Sequence, residues 1–99
     1  MQLSVVIPVY NSENSICKLV DTLKEVLQSI EYEVVLINDG SIDNSEQRCL
    51  DLIASHPEVN FVSLRKNFGE HNAVMCGLNF ARGKYVVIID DDFQNPPSE

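Results

Sequence analysis

The sequence predicts an α/β fold: a parallel sheet with helices on both faces, built in β-α-β-α-β-α-β order. Three observations carry that prediction. Short apolar runs rich in β-branched residues alternate with stretches of helical periodicity, the polar connections between them are short, and 99 residues suit one domain with one core.

Residues 3–8 (LSVVIP) are nearly continuously apolar, as a strand buried on both faces requires. Ile16, Leu19, Val20, Leu23, Val26, Leu27 and Ile30 then recur at helical spacing, and only a helix puts them all on one face. Residues 34–37 inside EYEVVLIND read as a second buried strand. Asp43 followed by Glu46 has the spacing of a capping box, opening a helix with Leu50, Ile53 and Ala54 facing inward. His56-Pro57 ends it, because a residue before proline is pushed out of the helical region. Residues 60–64 (NFVSL) make a third strand. Ala73, Val74, Gly77, Leu78 and Ala81 give a third helix whose small inner face suits close packing on a sheet. Gly83 stops it, and residues 85–89 (YVVII) form the fourth strand. No repeat, low-complexity tract or linker interrupts the pattern.

The net charge of −8 argues against non-specific binding to nucleic acid or to an anionic membrane surface. It leaves room for a phosphate-bearing small molecule bridged by a divalent cation. Cys17, Cys49 and Cys76 are odd in number and contain no CxxC pair, which excludes a disulfide framework and an all-cysteine zinc site. They read as small buried thiols of a reducing cytosol. No basic leader or membrane span is visible, so the expected location is cytoplasmic. The chain stops directly after its most acidic turn, which points to the N-terminal part of a longer protein.

In an open, Rossmann-like parallel sheet, ligands bind beyond the carboxyl ends of the strands. Those ends read Pro8-Val9-Tyr10-Asn11, Asn38-Asp39-Gly40-Ser41, Arg65-Lys66-Asn67-Phe68-Gly69 and Asp90-Asp91-Asp92, so polar and glycine-containing stretches share one rim. The acidic triplet is costly without a counter-charge: unit charges about 4 Å apart repel by roughly 4 kcal/mol at an effective dielectric of 20. In an extended backbone Asp90, Asp92 and Gln94 point one way, a hard oxygen set of the kind Mg²⁺ or Mn²⁺ prefers. A solvated acidic turn is the bland alternative. Asn38-Asp39-Gly40-Ser41 is good turn chemistry, and Asp39 could equally accept hydrogen bonds from a base or ribose. Tyr10 could stack on a base or cover the core edge. His71 and His56 read as surface histidines, and Arg65-Lys66 as solvated. Residues 77–84 (GLNFARGK) imitate a phosphate loop, but with five residues between the glycines and Tyr85 where Ser or Thr is needed. No GxGxxG follows the first strand.

SVVIPVYNSENSI, EVVLINDGSIDNS, LRKNFGEHNAVMCGLNFARGKYVVIIDDD and the closing IDDDFQNPPSE together resemble the nucleotide-sugar half of family 2 glycosyltransferases with the GT-A fold. The last is similar to the DxDxQxPPE signature of the polyprenyl-phosphate branch, and the resemblance runs over essentially the whole chain. It implies that Pro8, Tyr10 and Glu13 line the nucleoside pocket and that Asp39 reads the base. Asp90 or Asp91 would lie by the ribose and diphosphate. Asp92 with Gln94, and Asp90 as the other outer member of the DxD element, would hold Mg²⁺ or Mn²⁺ on the diphosphate, so that catalysis rests on Asp92. Two departures stand out: Ser12 occupies the place of the glutamate in the family's YNE, with Glu13 one later, and Asn38 replaces the first aspartate of DDGS.

The implied reaction moves a sugar from a nucleoside-diphosphate sugar to an acceptor, a polyprenyl phosphate, in a full-length protein associated with the membrane and facing the cytoplasm. An ionised lipid phosphate needs no strong general base, and none is evident. With the acceptor half absent, this chain alone is expected not to transfer sugar, and its exposed sheet edge is expected to favour a homo-oligomer. A nucleotidyltransferase-like enzyme would show a glycine-rich, basic loop after the first strand, which PVYNSEN lacks. A phospho-acceptor signalling domain would carry paired acids after that strand, whereas the triplet follows the fourth. A non-catalytic nucleotide-binding or interaction domain is the remaining alternative.

Overall fold

The sheet has the order β3-β2-β1-β4, all parallel, in a computed structural model that describes residues 1–64 and 69–90. The elements run β1 (Leu3–Val9), α1 (Ile16–Val26), β2 (Tyr32–Asp39), α2 (Ser45–Ser55), β3 (Val59–Leu64), α3 (Glu70–Phe80) and β4 (Tyr85–Ile88). The expected alternation is present in the expected order.

Side-chain alternation splits the core into two layers. Val5, Ile7, Val9, Val34 and Leu36 meet Ile16, Leu19, Val20 and Leu23 of α1 and Cys49 and Leu52 of α2. Val6, Val35 and Ile37 meet Ala73, with Cys76 and Val62 packed alongside. Helices therefore cover both faces: α1 and α2 one, α3 the other. Each fully buried aliphatic side chain contributes about 1.5–3 kcal/mol, so these strands dominate the stability. Close packing of α3 depends on Gly77, where a Cβ would run into Val6 and stand 3.2 Å from Ile37 Cγ1.

Four expectations need correction. The inner face of α2 is Ser45, Cys49 and Leu52, while Leu50, Ile53 and Ala54 are exposed. Ser45, Cys49 and Leu52 share one stripe at i, i+4 and i+7, and Leu50 and Ala54 lie on the other side of the helix from it. The capping box does not form either: Asp43 Oδ1 accepts from the Ser45 N–H at 2.9 Å, but Glu46 Oε1 turns to Asn38 Nδ2 (3.3 Å) and the Ser63 hydroxyl (3.1 Å). The α1 helix ends at Val26, so Val26 and Ile30 are exposed. Of the cysteines only Cys49 is fully buried; Cys17 and Cys76 are half-buried.

One polar cluster at the amino edge of the sheet escaped the periodicity argument. Glu33, 1% exposed, accepts from the Ser4 hydroxyl (2.5 Å), the Arg82 N–H (2.7 Å), the Arg82 guanidinium (3.2 Å) and Asn60 Nδ2 (3.2 Å). Gly83 N–H donates to Ser4 Oγ at 2.7 Å, and a Cβ on Gly83 would stand 2.5 Å from the Ser4 backbone nitrogen. Gly83 thus lets the segment after α3 lie directly on β1. Burial alone would raise the Glu33 pKa; the hydrogen bonds from Ser4 and Arg82 outweigh it and hold the carboxyl below its ordinary range.

Candidate functional site

The strand order creates a switch point. The chain steps from β1 outward to β3 with α1 and α2 on one face, then returns through α3 on the other face to β4, on the far side of β1. The winding reverses between the carboxyl ends of β1 and β4, the place where open parallel sheets bind their ligands.

Proline limits the pairing of β1 with β4 at that end. Tyr85 N–H and Ile89 N–H donate to the Gln2 and Val6 carbonyls, so Val6 and, two residues on, position 8 face β4 with their backbone groups. Pro8 has no N–H to offer. The β1–β4 ladder accordingly ends at Val6↔Ile88, whereas β1–β2 continues to Val9↔Asn38. Pro8 is half-buried, and Tyr10, 47% exposed, stands just past the end of β1. Asp90 is exposed and follows Ile89, which packs on the α1 side, so alternation places Asp90 on the α3 side.

Asp39 ends β2 on that same side. It is 3% exposed and accepts from the Gly69 N–H at 3.1 Å, immediately before α3. Gly69 has φ 97°, a left-handed conformation that costs glycine little. Asp39 therefore ties the start of α3 to the rim. Asn38 is a structural residue: its amide donates to Glu46 and Ser63 and its Oδ1 accepts from the Ser41 N–H at 3.3 Å.

A seam between the β1–α1 and β2–α2 loops was missed by the sequence reasoning. Asn11, at φ 51°, donates its N–H to Ser41 Oγ (3.0 Å) and accepts at Oδ1 from the Ile42 N–H (3.0 Å). Ser12 N–H donates to Ser45 Oγ (2.6 Å), and Glu13 N–H to Asp43 Oδ2 (3.2 Å). Glu13 Oε1 accepts from the Asn44 N–H (3.4 Å), so the carboxylate assigned to the nucleoside pocket is bound to the start of α2. Burial would raise the Asp43 pKa, but hydrogen bonds from Ser45 and the Glu13 N–H outweigh it and hold it low. The seam fixes the backbone from which Tyr10 projects. The signal was the density of short polar residues in NSENS and SIDNS, residue types that hydrogen-bond neighbouring backbone. Ser45→Ala is expected to cost about 1–2 kcal/mol, since it leaves the buried Ser12 N–H unpaired; urea unfolding of the variant measures it.

The remaining candidates divide in two. Asp91, Asp92, Gln94 and Arg65-Lys66 lie outside the described residues, as does the side chain of His71. His56 sits at the end of α2, where its Nε2 meets Asp21 Oδ1 at 3.1 Å, away from the rim. Among the described residues no group of three acidic, histidine or cysteine side chains is gathered to hold a metal. No described helix is long and apolar enough to cross a membrane.

Residues 4–99 match the family model for glycosyl transferase family 2. The chain belongs to that family. It is 45% identical over 103 residues to an undecaprenyl-phosphate 4-deoxy-4-formamido-L-arabinose transferase of Proteus mirabilis, covering 99% of this chain and 31% of that protein. It is 42% identical over 101 residues to the transferase of the same name from Shewanella sediminis, covering 98% of this chain and 30% of that protein. In structure it is similar to S. aureus TarS in complex with UDP-GlcNAc: TM-score 0.82, 29% identity, 93% of this chain and 27% of that one. This family member thus spans under a third of the relatives it matches, and its Rossmann-like sheet is that of GT-A glycosyltransferases.

Proposed function

We propose that this family 2 chain is the donor-binding part of a glycosyltransferase that moves a sugar from a nucleoside-diphosphate sugar to a polyprenyl phosphate. The observation that supports this reading is that the parallel order sends the ends of β1 (Pro8, Tyr10), β2 (Asp39) and β4 (Asp90) to one rim of the sheet. The similar TarS structure is a complex with UDP-GlcNAc, and the curated relatives are named for undecaprenyl phosphate, which supports the donor and acceptor classes.

In this reading Tyr10 stacks on the base, Pro8 forms the pocket wall, and Glu13 acts through the seam that holds the Tyr10 loop. Asp39 accepts from the base or ribose while keeping α3 in place. Asp90 or Asp91 would lie by the ribose and diphosphate. The described donor, the Asp90 carboxylate, is exposed hard oxygen at the rim, which fits Mg²⁺ or Mn²⁺; Asp90, Asp92 and Gln94 would hold the ion. A bound ion neutralises the charge that builds on the departing nucleoside diphosphate. The protein's own part is to hold the diphosphate at the rim, with the anomeric carbon open to an acceptor phosphate that is already ionised. The site faces the cytoplasm in this reading, and a sheet edge unpaired among the described residues supports self-association.

Titration of UDP, GDP, CDP and dTDP with and without Mn²⁺ tests the proposal on the wild type and on Asp92→Ala. One diphosphate should be preferred, its binding should require the ion, and Asp92→Ala should weaken it about tenfold or more, some 1.4 kcal/mol. Equal binding of all four, indifferent to the ion, overturns the reading.

A further inference from the structure

The pairing of β1 with β2 stops at Val9↔Asn38, and the two chains then part, one toward α1 and the other toward α2. The residues that follow are Tyr10 and Asp39, the two that the donor reading sets around the base. The ladder that fixes these strands against each other thus ends one residue before both.

Asn11 takes over from the ladder. Its N–H donates to Ser41 Oγ at 3.0 Å, and its Oδ1 accepts from the Ile42 N–H at 3.0 Å. One residue therefore gives and receives a hydrogen bond across the gap, as a paired strand residue does, with the side-chain oxygen standing in for a backbone carbonyl. Ser41 is itself held. Its N–H donates to Asn38 Oδ1 at 3.3 Å, which closes the turn over Gly40, at φ 70°. The tie runs from Asn11 to a turn anchored on Asn38, the register partner of Val9.

The backbone at position 11 suits this task. At φ 51°, Asn11 is the one left-handed residue other than glycine among the described residues. Asparagine enters that region more readily than most side chains. Glycine would enter it too, but would bring no oxygen to Ile42. The peptide between Tyr10 and Asn11 is also held at both ends: its N–H by Ser41, and its carbonyl by the Ser12 hydroxyl, which donates at 3.2 Å.

Given the donor reading above, on which this rests, we infer that Asn11 is a positioning residue of the donor site. It holds Tyr10 at a fixed place relative to Asp39, so that a base stacked on the ring presents its edge to the carboxylate. Stacking tolerates any base, whereas a hydrogen bond to a base edge does not. Loosening the tie therefore costs base preference as well as affinity.

Titration of UDP, GDP, CDP and dTDP with Mn²⁺, well below the melting temperature, tests this on Asn11→Gly, Asn11→Asp and Ser41→Ala. Asn11→Gly keeps the left-handed backbone and removes the side-chain bridge. Its affinity for the preferred diphosphate should fall about tenfold, the scale of one hydrogen bond, and its preference over the others should narrow. Asn11→Asp keeps an acceptor oxygen and should recover the preference; its added charge acts alike on all the diphosphates and cancels in the ratio. Ser41→Ala cuts the other half of the tie and should also narrow the preference, so it decides the matter should Asn11→Gly fail to fold. The Ile42 amide should exchange slowly in the wild type and in Asn11→Asp, and fast in Asn11→Gly. A merely structural residue would lower the melt and leave the preference unchanged. That result overturns the proposal, as does an Asn11→Asp no better than Asn11→Gly, or an Ile42 amide indifferent to the glycine variant. A wild type that prefers one diphosphate, with variants that keep the preference, removes the positioning role and leaves the donor reading standing. A wild type without preference removes both.

Discussion

Gly77→Val should destabilise the chain by about 3 kcal/mol, enough to threaten folding of a small domain. At Gly77, α3 lies so close to the sheet that even a first side-chain carbon would meet the Val6 side chain and stand 3.2 Å from Ile37. Val6 and Ile37 are wholly buried in the two central strands, so neither can move aside. A thermal melt should fall on the order of 10–20 °C, given about 4–8 °C per kcal/mol at this size. Gly77→Ala should lose less, because alanine recovers about 1 kcal/mol of helix propensity. An unchanged melt for the valine variant would mean that α3 does not approach the sheet as described.

Loss of the Glu33 carboxylate should be the second large effect. In Glu33→Ala the Ser4 hydroxyl, the Asn60 amide and the Arg82 N–H lose a common acceptor, at about 1–3 kcal/mol for each buried donor left unpaired. The same residue sets an acid limit. The folded pKa of Glu33 lies below its ordinary value, so the unfolded chain takes up the proton first as pH falls. Its contribution is therefore complete above the usual glutamate range and is lost as pH drops through the depressed folded pKa. Glu33→Gln should flatten that part of the stability profile, leaving the slope of the same sign from Asp43. Urea unfolding of both proteins at a series of acidic pH values measures this, and parallel curves would show that Glu33 does not titrate as described.

Much of the candidate site was legible because parallel topology sends every strand's carboxyl end to one rim. Knowing the element order was enough to bring Tyr10, Asp39 and Asp90 to the same edge. The seam of Asn11, Ser12, Ser41, Asp43 and Ser45 was not legible, since hydrogen bonds between loops some 30 residues apart leave no periodic trace. Glu33 was hidden for a related reason. A carboxylate beside an apolar run reads as a solvated strand end until Ser4, Asn60 and Arg82 are brought around it. Leu50, Ile53 and Ala54 were misassigned because apolar residues stand on more than one side of α2, and only packing against the sheet decides which side faces inward.

By itself the sequence determined the alternation of strands and helices, the sharing of polar turns by one rim, and the small inner face of α3. These are local properties, set by side-chain shape, apolar spacing and turn chemistry along the chain. Only the tertiary structure decided the β3-β2-β1-β4 order, the end of the β1–β4 register at Val6↔Ile88, and the buried cluster around Glu33. Which strands become neighbours depends on the direction each crossover takes, and that is settled by packing a whole helix against a whole sheet.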